Sequence, residues 1–240
     1  MQIINNVEIV DLGLYFKKYK LLAITDLQFG YEENLNRQGV LVPRFVHKEI
    51  LQRMEAILKK RKIDSVLVNG DIKHEFGRIS ETEWRYCIRF FKLLEKYVKK
   101  IILVKGNHDT MLDPIAKTRG LDVVDHYVLN DVLFVHGDSI LDIAKDKNIK
   151  TIIIGHEHPA VSVIEGPRVE KYKAFLVGKW KQKKLVMLPS FNTATEGTDV
   201  LKERLLSPFL REVNVKKFEA YIVADKVYYF GRLGDLKSRF

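Results

Sequence analysis

The chain has 240 residues, of which 46% are hydrophobic and 30% are charged, so we predict a single domain over residues 1–240 with its own apolar core. No apolar stretch approaches about 18 residues, and the first residues lack a basic segment followed by an apolar one, which excludes a membrane-spanning helix and a signal peptide. The one cysteine, Cys87, excludes a disulfide scaffold and predicts a cytoplasmic protein, while the net charge of +10 favours polyanionic partners.

Predicted strands and helices alternate in the first half of the chain. Apolar, β-rich runs predict strands at Ile3–Val10, Leu21–Thr25, Val66–Asn69, Ile101–Lys105, Leu121–Val124 and Val132–His136. Helical spacing of apolar residues predicts helices from Arg44 to Lys62 and from Ser80 to Val98, with Ser80 as an N-cap and Cys87 on the apolar side. The stretch Gly30–Pro43 is predicted to be a loop.

Strands follow strands beyond Lys150. The runs that predict them are Thr151–Ile154, Ala160–Ile164, Lys173–Val177, Lys184–Leu188, Glu219–Ala224 and Lys226–Phe230. Asp225 lies between the last two like a tight hairpin turn. The order of elements predicts an α/β protein in which two sheets pack face to face with helices outside.

Five short motifs each bring polar side chains to the end of a predicted strand. They are Asp26-Leu-Gln28, Gly70-Asp71, Gly106-Asn107-His108-Asp109, His136-Gly137-Asp138 and Gly155-His156-Glu157-His158. Polar residues at the carboxyl ends of strands lie along one rim of a sheet, where open α/β folds bind ligands. Carboxylate, carboxamide and imidazole groups gathered there are the ligands that a two-metal hydrolytic site requires.

The motifs divide into ligands for two divalent cations. Asp71 is predicted to bridge them, since one carboxylate can bind two cations that lie roughly 3.5–4 Å apart. Asp26 and His158 would hold one cation, and the ligands of the other would be Asn107, His136 and His156. This mixed nitrogen and oxygen set suits Mn²⁺, Fe, Zn²⁺ or Ni²⁺ better than Ca²⁺.

His108 is then free to contact the scissile phosphate. It is predicted to protonate the leaving oxygen as a catalytic residue. Asp109, or a nearby carboxylate, is predicted to orient the His108 ring and so to take part in catalysis.

The ordered motifs resemble those of the calcineurin-like metallophosphoesterases, from about Leu21 to Pro159, with Pro189-Ser-Phe-Asn192 as a further likeness. Within that superfamily, Gly70–Glu75 and Gly106–Asp109 look closest to the small archaeal and bacterial phosphoesterases related to SbcD-type DNA repair nucleases. The resemblance implies a four-layer α/β/β/α sandwich of two mixed β-sheets flanked by helices. It also implies a two-metal site, usually active with Mn²⁺, that cleaves phosphate esters. The residues that match the family's ligands are Asp26, Asp71, Asn107, His136, His156 and His158, and His108 matches its catalytic imidazole.

Gln28 departs from the family pattern, which usually has histidine at this position of the first motif. An amide oxygen is a neutral and weaker donor than imidazole, so we predict that Gln28 is a metal ligand and that this metal binds less tightly. Lys73 and His74 follow Asp71 closely, and either could contact substrate phosphate. His74 could instead replace the missing imidazole or simply be exposed on a loop.

Basic residues are concentrated in two segments of the chain. Arg85, Arg89, Lys92 and Lys96 form one stripe on the predicted Ser80–Val98 helix, which suits either duplex binding or a solvated surface. The segment Lys171–Lys184 mixes Tyr172, Phe175 and Trp180 with six lysines, which suits either base stacking or a strand pair with lysine at its edge. Surface ion pairs of the kind found in hyperthermophilic proteins would also explain a Lys-rich composition.

The sequence therefore predicts a divalent-metal-dependent phosphodiesterase or nuclease that acts on DNA or RNA, with two Mn²⁺ ions as cofactors. The alternatives are a phosphatase or phosphodiesterase of small metabolites or cyclic nucleotides, and a scaffold whose metal site no longer turns over. No membrane partner is expected, and a protein partner or a homodimer stays open. The apolar run Leu205–Leu210 suits either a core segment or a partner surface.

Overall fold

In a computed structural model, which describes residues 1–42, 45–165 and 168–238, the chain forms two mixed β-sheets. Within these ranges the first sheet has seven strands, bonded to one another in chain order. They are β1 (Gln2–Ile4), β2 (Val7–Val10), β3 (Gly13–Phe16), β4 (Leu21–Ile24), β5 (Ser65–Asn69), β6 (Lys100–Val104) and β7 (Val123–Val124). The strands β1 to β4 pair antiparallel, and β4 to β7 pair parallel.

The second sheet has nine strands in the same described part of the chain. They are β8 (Tyr127–Leu129), β9 (Val132–Phe134), β10 (Thr151–Ile154), β11 (Pro159–Glu165), β12 (Arg168–Trp180), β13 (Lys183–Met187), β14 (Thr198–Asp199), β15 (Glu219–Val223) and β16 (Val227–Arg232). Their order is β14-β11-β12-β13-β10-β9-β8, and β15 pairs with both β12 and β16. At the centre, β10 is parallel to β9 and to β13. The predicted hairpin around Asp225 is confirmed by the antiparallel pairing of β15 and β16.

Helices cover the outer faces of the sheets. The α-helices are α1 (Tyr31–Arg37), α2 (Val46–Lys60), α3 (Glu81–Glu95), α4 (Asp113–Lys117) and α5 (Pro208–Arg211). The predicted N-cap of α3 is confirmed, since Ser80 Oγ accepts from the Glu83 amide at 3.1 Å and Glu83 Oε2 accepts from the Ser80 amide at 2.8 Å. None of the helices in the described ranges has the length and hydropathy that crossing a bilayer requires.

Apolar side chains alternate along the strands and create three cores. In β10, Ile153 faces the other sheet, whereas Ile152 and Ile154 pack outward. The outer core of the first sheet is shared with α2, α3 and α4 and contains the fully buried Cys87, as predicted. The outer core of the second sheet includes Phe209 and Leu210 from α5, with Leu205 partly buried against it, so these residues of the apolar run Leu205–Leu210 are core, whereas Leu206 is 50% exposed. The predicted two mixed sheets flanked by helices are confirmed.

Two predicted elements differ from the structure. The predicted strand Ile3–Val10 is a hairpin of β1 and β2, because Asn6 has a left-handed backbone (φ 58°) that turns the chain. The predicted loop Gly30–Pro43 contains the helix α1, which its largely polar sequence conceals. Pro43, and Arg44 at the predicted start of the next helix, lie outside the described residues.

The two basic segments also have different outcomes. Phe175 and Trp180 are fully buried, so stacking of bases on these rings is excluded, and the strand-pair alternative is the one observed. The indole Nε1 of the buried Trp180 donates a hydrogen bond to Glu212 Oε2 at 2.8 Å. The stripe on α3 is exposed along its whole length, from Arg85 to Lys96.

Candidate active site

The carboxyl ends of five strands, β4, β5 and β6 in the first sheet and β9 and β10 in the second, bring the polar motifs to one place. Backbone hydrogen bonds join the strand-end loops in pairs, from the Asp26 amide to the Gly70 carbonyl at 3.0 Å and from the Gly155 amide to the His136 carbonyl at 2.8 Å. The two sheets are tied together by Asn69, whose Nδ2 donates to the Val135 carbonyl at 2.8 Å. The site therefore lies where both sheets end, as expected for ligands carried on strand ends.

Three ligand atoms from Asp71, His136 and His156 lie within 4.8 Å of one another. Asp71 Oδ2 is 3.3 Å from His136 Nε2, and Asn107 Oδ1 is 3.1 Å from the same nitrogen. The His136 ring is fixed by its other nitrogen, since Nδ1 lies 3.1 Å from the Asn69 carbonyl and must donate to it. This leaves Nε2 of His136 to face the cluster, the arrangement that metal-binding histidines show.

A second group lies beside the first. His158 Nε2 is 3.2 Å from Asp26 Oδ1, and the Gln28 amide is 3.5 Å from the same His158 nitrogen. Asp26 Oδ1 is also 4.0 Å from His136 Nδ1, so the two groups adjoin. The structure thus brings together all seven residues that the sequence analysis named as metal ligands.

The backbone of this region is held in a conformation that L-residues seldom adopt. Five of the ten non-glycine residues with positive φ in the described part of the chain are predicted ligands: Asp26, Gln28, Asp71, His156 and His158. Backbone strain of this kind clusters at functional sites, where it costs of order 1–3 kcal/mol per residue. Gly106 adds a close approach, because a Cβ there would overlap the carboxylate of Asp71.

Burial and neighbouring charges shift the pKa values of the clustered residues, in some cases in opposite directions. Burial alone would raise the pKa of Asp71, but the nearby His136 and His108 outweigh it and hold the pKa below its usual range. Burial opposes a charge on His136, yet Asp71 and Asp26 raise the pKa of His136 to about 10. Burial, followed by the charge of His136, lowers the pKa of His156 and favours the neutral ring that can bind a metal. The carboxylates therefore stabilise positive charge at the centre of the site.

The residues present fit divalent metal ions. Asp26 Oδ1 is fully buried and has no hydrogen-bond partner, whereas Asp26 Oδ2 accepts from Thr25 Oγ1 at 2.8 Å and from the His156 amide at 3.1 Å. An orphaned buried carboxylate oxygen is costly unless a cation satisfies it. Imidazole nitrogens and carboxylate oxygens side by side are the donors that first-row transition metals prefer.

His108 lies at the edge of the cluster, and one of its ring nitrogens forms a hydrogen bond to the backbone. Its Nδ1 hydrogen-bonds to the His74 carbonyl and must therefore carry the proton, while its Nε2 lies 3.8 Å from Asp71 Oδ2. The ring of Phe76 packs on His108 with centroids 3.7 Å apart, and Phe76 is 59% exposed. A ring that is anchored at Nδ1 and presents Nε2 to the site is arranged for proton transfer there.

Asp109 and Lys73 are placed differently from the prediction. Asp109 does not orient His108: it is fully buried and accepts from the Ile72 and Gly106 amides, both at 3.0 Å, which joins two strand-end loops. Burial, together with the charge of Asp71, raises the pKa of Asp109 to about 7. Lys73 is also fully buried and donates to the Glu75 carbonyl. Its ammonium group is therefore not presented to substrate, which corrects the prediction.

His74 lies beside His108 and is not one of the three residues, Asp71, His136 and His156, whose ligand atoms cluster in the described part of the chain. Asn34 Nδ2 donates to His74 Nε2 at 2.9 Å, and the His74 and His108 rings stack with centroids 5.5 Å apart. Burial, followed by the charge of His108, lowers the pKa of His74 to about 4, so the ring is neutral at pH 7. With Nε2 engaged by Asn34, the geometry does not support replacement of the missing imidazole, and substrate contact by His74 stays a prediction.

Several supporting residues escaped the sequence analysis. Ser190 Oγ donates to the Asp26 carbonyl at 2.7 Å, and Lys173 Nζ donates to the Ser190 and Asn192 carbonyls at 2.9 and 2.7 Å. Glu83 Oε1 accepts from the His74 and Glu75 amides at 3.0 and 2.7 Å and so fixes the loop that carries Phe76. Pro189–Asn192 resembles the family motif, but the sequence offers no signal for its contact with Asp26 or for the role of Lys173.

Replacing Gln28 with histidine should tighten metal binding by about tenfold or more, which corresponds to about 1.4 kcal/mol. The reason is that Gln28 lies beside His158 next to Asp26, and imidazole is a stronger donor than an amide. Calorimetric titration of the metal-stripped protein with Mn²⁺ measures the change. Gln52→His, on the exposed side of α2, is the matched control and should leave the affinity unchanged. Equal affinities for wild type and Gln28→His would mean that residue 28 is not a ligand.

Comparisons with known proteins give one family and several structures of low sequence identity. The calcineurin-like phosphoesterase family matches residues 19–143, which is 125 of the 240 residues. Nuclease MPE of Pseudomonas putida has a similar structure, with a TM-score of 0.67 and 18% identity over 92% of each chain. The E. coli phosphoesterase Yfce covers 88% of this chain and 97% of its own, with a TM-score of 0.44 and 12% identity. A Vps29 single mutant from Entamoeba histolytica covers 88% and 98%, with a TM-score of 0.41 and 14% identity. No curated protein matches the chain.

Proposed function

The chain belongs to the calcineurin-like phosphoesterases, and from this premise we propose that it is a divalent-metal-dependent phosphodiesterase that acts as a nuclease on DNA or RNA. The observation that carries the proposal is the meeting of Asp26, Asp71 and His136 at the joined ends of the two sheets, where the buried Asp26 Oδ1 accepts no hydrogen bond and has His158 Nε2 3.2 Å away. The structural likeness to a protein described as a nuclease supports it only as a likeness of fold. A closer relationship to SbcD-type nucleases stays a prediction.

Two cations, Mn²⁺ in our proposal, would be held by adjoining ligand groups. Asp71, Asn107, His136 and His156 would bind one, and Asp26, Gln28 and His158 the other, with Asp71 as the bridge. When bound, the cations supply Lewis-acid stabilisation of the charge that develops on the phosphate. The glycines before these ligands allow the close approach that the cluster needs, as at Gly106.

His108 would act on the leaving group. Its Nδ1 hydrogen bond to the His74 carbonyl fixes the plane of the ring, and the packing of Phe76 restricts its rotation. A proton on Nε2 can then pass to the leaving oxygen of a phosphodiester, and Nε2 is left unprotonated when the products separate. Glu83 supports this step indirectly, because it holds the His74 and Glu75 amides.

The preference for a nucleic acid comes from the rim of the site and from the charge of the protein. Phe76 exposes a large apolar ring next to His108, and such rings at a site edge commonly stack on bases. The net charge of +10 attracts polyanions over long distances. A nuclease would use both features, whereas a phosphatase of small polar metabolites needs neither.

A panel of substrates tests the proposal, with Phe76→Ala as the informative variant. With Mn²⁺, the wild type should cleave single-stranded oligonucleotides, and Phe76→Ala should lower kcat/KM for them by about tenfold, since base–aromatic stacking contributes about 1–3 kcal/mol. The loss should disappear on a strand of equal length built from abasic units. Phe76→Tyr, which keeps an aromatic ring, is the matched control.

A phosphatase of small esters is the second candidate, because a cavity of about 220 Å³ lies against Asn107 and His136. Lys105 and Ser139 also line it and could contact a compact phosphate ester. Hydrolysis of p-nitrophenyl phosphate without cleavage of any oligonucleotide would favour this candidate. If Phe76→Ala lowered kcat/KM equally on base-bearing and abasic strands, Phe76 would act only by packing against His108.

A further inference from the structure

A basic groove lies at the opposite end of the second sheet from the active site. It is a cavity of about 740 Å³ at the amino ends of β10 and β13, where these strands begin at Thr151 and Lys183. The ligand residues His156 and His158 follow the other end of β10, about 13 Å away at 3.3 Å for each strand residue. The groove is therefore separate from the site described above.

Positive charge dominates this groove. The cations that line it are Lys150, Lys179, Lys184, Lys217 and Arg232, and the one carboxylate among the described lining residues is Glu219. All five cations are exposed, and none forms an ion pair within the described ranges. Elsewhere on the surface, basic residues such as Arg53 and Arg61 are paired with carboxylates at 2.5 and 2.9 Å. Surface ion pairing thus explains part of the basic composition but not this groove.

The groove continues into a second cavity. That cavity, of about 360 Å³, shares Thr151 and Lys184 with the first and is also lined by Lys18, Asn130 and one carboxylate, Asp131. Together the two exceed the volume that a single drug-sized ligand fills, which is about 300–1,000 Å³. An elongated, cationic track favours a linear polyanion over a compact one.

The side chains that line the larger cavity indicate which part of a polyanion they would contact. The aromatic ring among the described residues of the larger cavity is Phe218, which is buried, so bases have no ring to stack on there. Lysine ammonium groups bind phosphates as point charges without reading sequence. We propose that this groove binds the sugar–phosphate backbone of a nucleic acid strand at a site distinct from the active site.

Charge neutralisation tests the proposal without requiring catalysis. The variant Lys179→Gln, Lys184→Gln, Lys217→Gln is compared with Arg85→Gln, Arg89→Gln, Lys92→Gln, which removes the same charge from the exposed stripe on α3. Binding of a fluorescein-labelled 40-nucleotide single strand is measured by anisotropy in EDTA over a range of KCl concentrations. The groove variant should bind at least tenfold more weakly at about 0.1 M KCl, with a salt slope smaller by about 2, because each lost phosphate contact on a single strand removes about 0.7. The stripe variant should change the affinity by no more than about twofold.

Two results would overturn the proposal. One is equal weakening by the groove and stripe variants, which would mean that net charge alone governs binding. The other is loss of inorganic tripolyphosphate binding by the groove variant with unchanged binding of the 40-mer, which would make the groove a site for a small anion. Mn²⁺-dependent hydrolysis of bis-p-nitrophenyl phosphate should be unchanged in the groove variant. Because binding is measured without metal, failure of this proposal is distinguishable from failure of the nuclease proposal.

Discussion

Replacing His108 with alanine should lower kcat for oligonucleotide cleavage by roughly 10²- to 10⁴-fold, the usual contribution of a general acid, while the bound metal stays nearly unchanged. The reason is that His108 Nε2 faces the site at 3.8 Å from Asp71 Oδ2, while Nδ1 is held by the His74 carbonyl. Alanine would remove the proton donor and leave the clustered Asp71, His136 and His156 in place. Turnover and metal content are measured on the same preparation.

The nature of the leaving group sharpens this prediction. p-Nitrophenolate leaves without protonation, so His108→Ala should lose less activity on bis-p-nitrophenyl phosphate than on an oligonucleotide. His126→Ala, which removes an exposed histidine, is the control and should behave like wild type. Full activity of His108→Ala would contradict the assigned role, and an equal loss on both substrates would indicate that His108 positions the phosphate instead of protonating the leaving oxygen.

Replacing Asp71 with asparagine should abolish both tight metal binding and activity, with a loss of kcat of at least about 10³-fold, or about 4 kcal/mol. Asp71 is 1% exposed, lies 3.3 Å from His136 Nε2, and is the carboxylate best placed to bridge two cations. Asparagine keeps the shape of the side chain and removes its charge. The rise in Tm that Mn²⁺ gives the wild type, as expected for a ligand of the folded state, should be lost as well.

Asp122→Asn provides the comparison for this change, because Asp122 is exposed and carries no predicted role. It should retain the Mn²⁺-dependent rise in Tm and full activity. An Asp71→Asn protein that bound two equivalents of Mn²⁺ with wild-type affinity would contradict the bridging role. Loss of activity without loss of metal would restrict Asp71 to the reaction itself.

The features that the sequence predicts best are the strands that precede the site residues and the meeting of the ends of these strands. The runs before Asp26, Asp71 and His156 are short, apolar and followed at once by polar residues, so both the strands and the convergence of their ends were predictable. The cap of α3 was predictable for the same local reason, since Ser80 and Glu83 have the spacing of a capping box. Local pattern and long-range fold agree at these positions.

The direction of side chains in the strand-end loops was not predictable. Lys73 and Asp109 each stand two residues after a predicted ligand, yet both are fully buried, since Lys73 donates to the Glu75 carbonyl and Asp109 accepts from the Ile72 and Gly106 amides. Phe175 and Trp180 alternate with lysines, and only the packing of β12 against both cores shows that the rings face inward. Contacts such as Ser190 with Asp26 span 164 residues and leave no local signal.

Hydrolysis of a phosphodiester during titration of the metal-stripped protein with Mn²⁺ tests the central claim most directly. We predict no hydrolysis of bis-p-nitrophenyl phosphate or of an oligonucleotide without metal, and activity that rises to its maximum as two Mn²⁺ ions bind per chain. Hydrolysis at the full rate by the stripped protein would contradict a metal-dependent mechanism. Two bound ions with no hydrolysis of diester, monoester, DNA or RNA would contradict the assignment as an enzyme and leave a scaffold that binds metal without turnover.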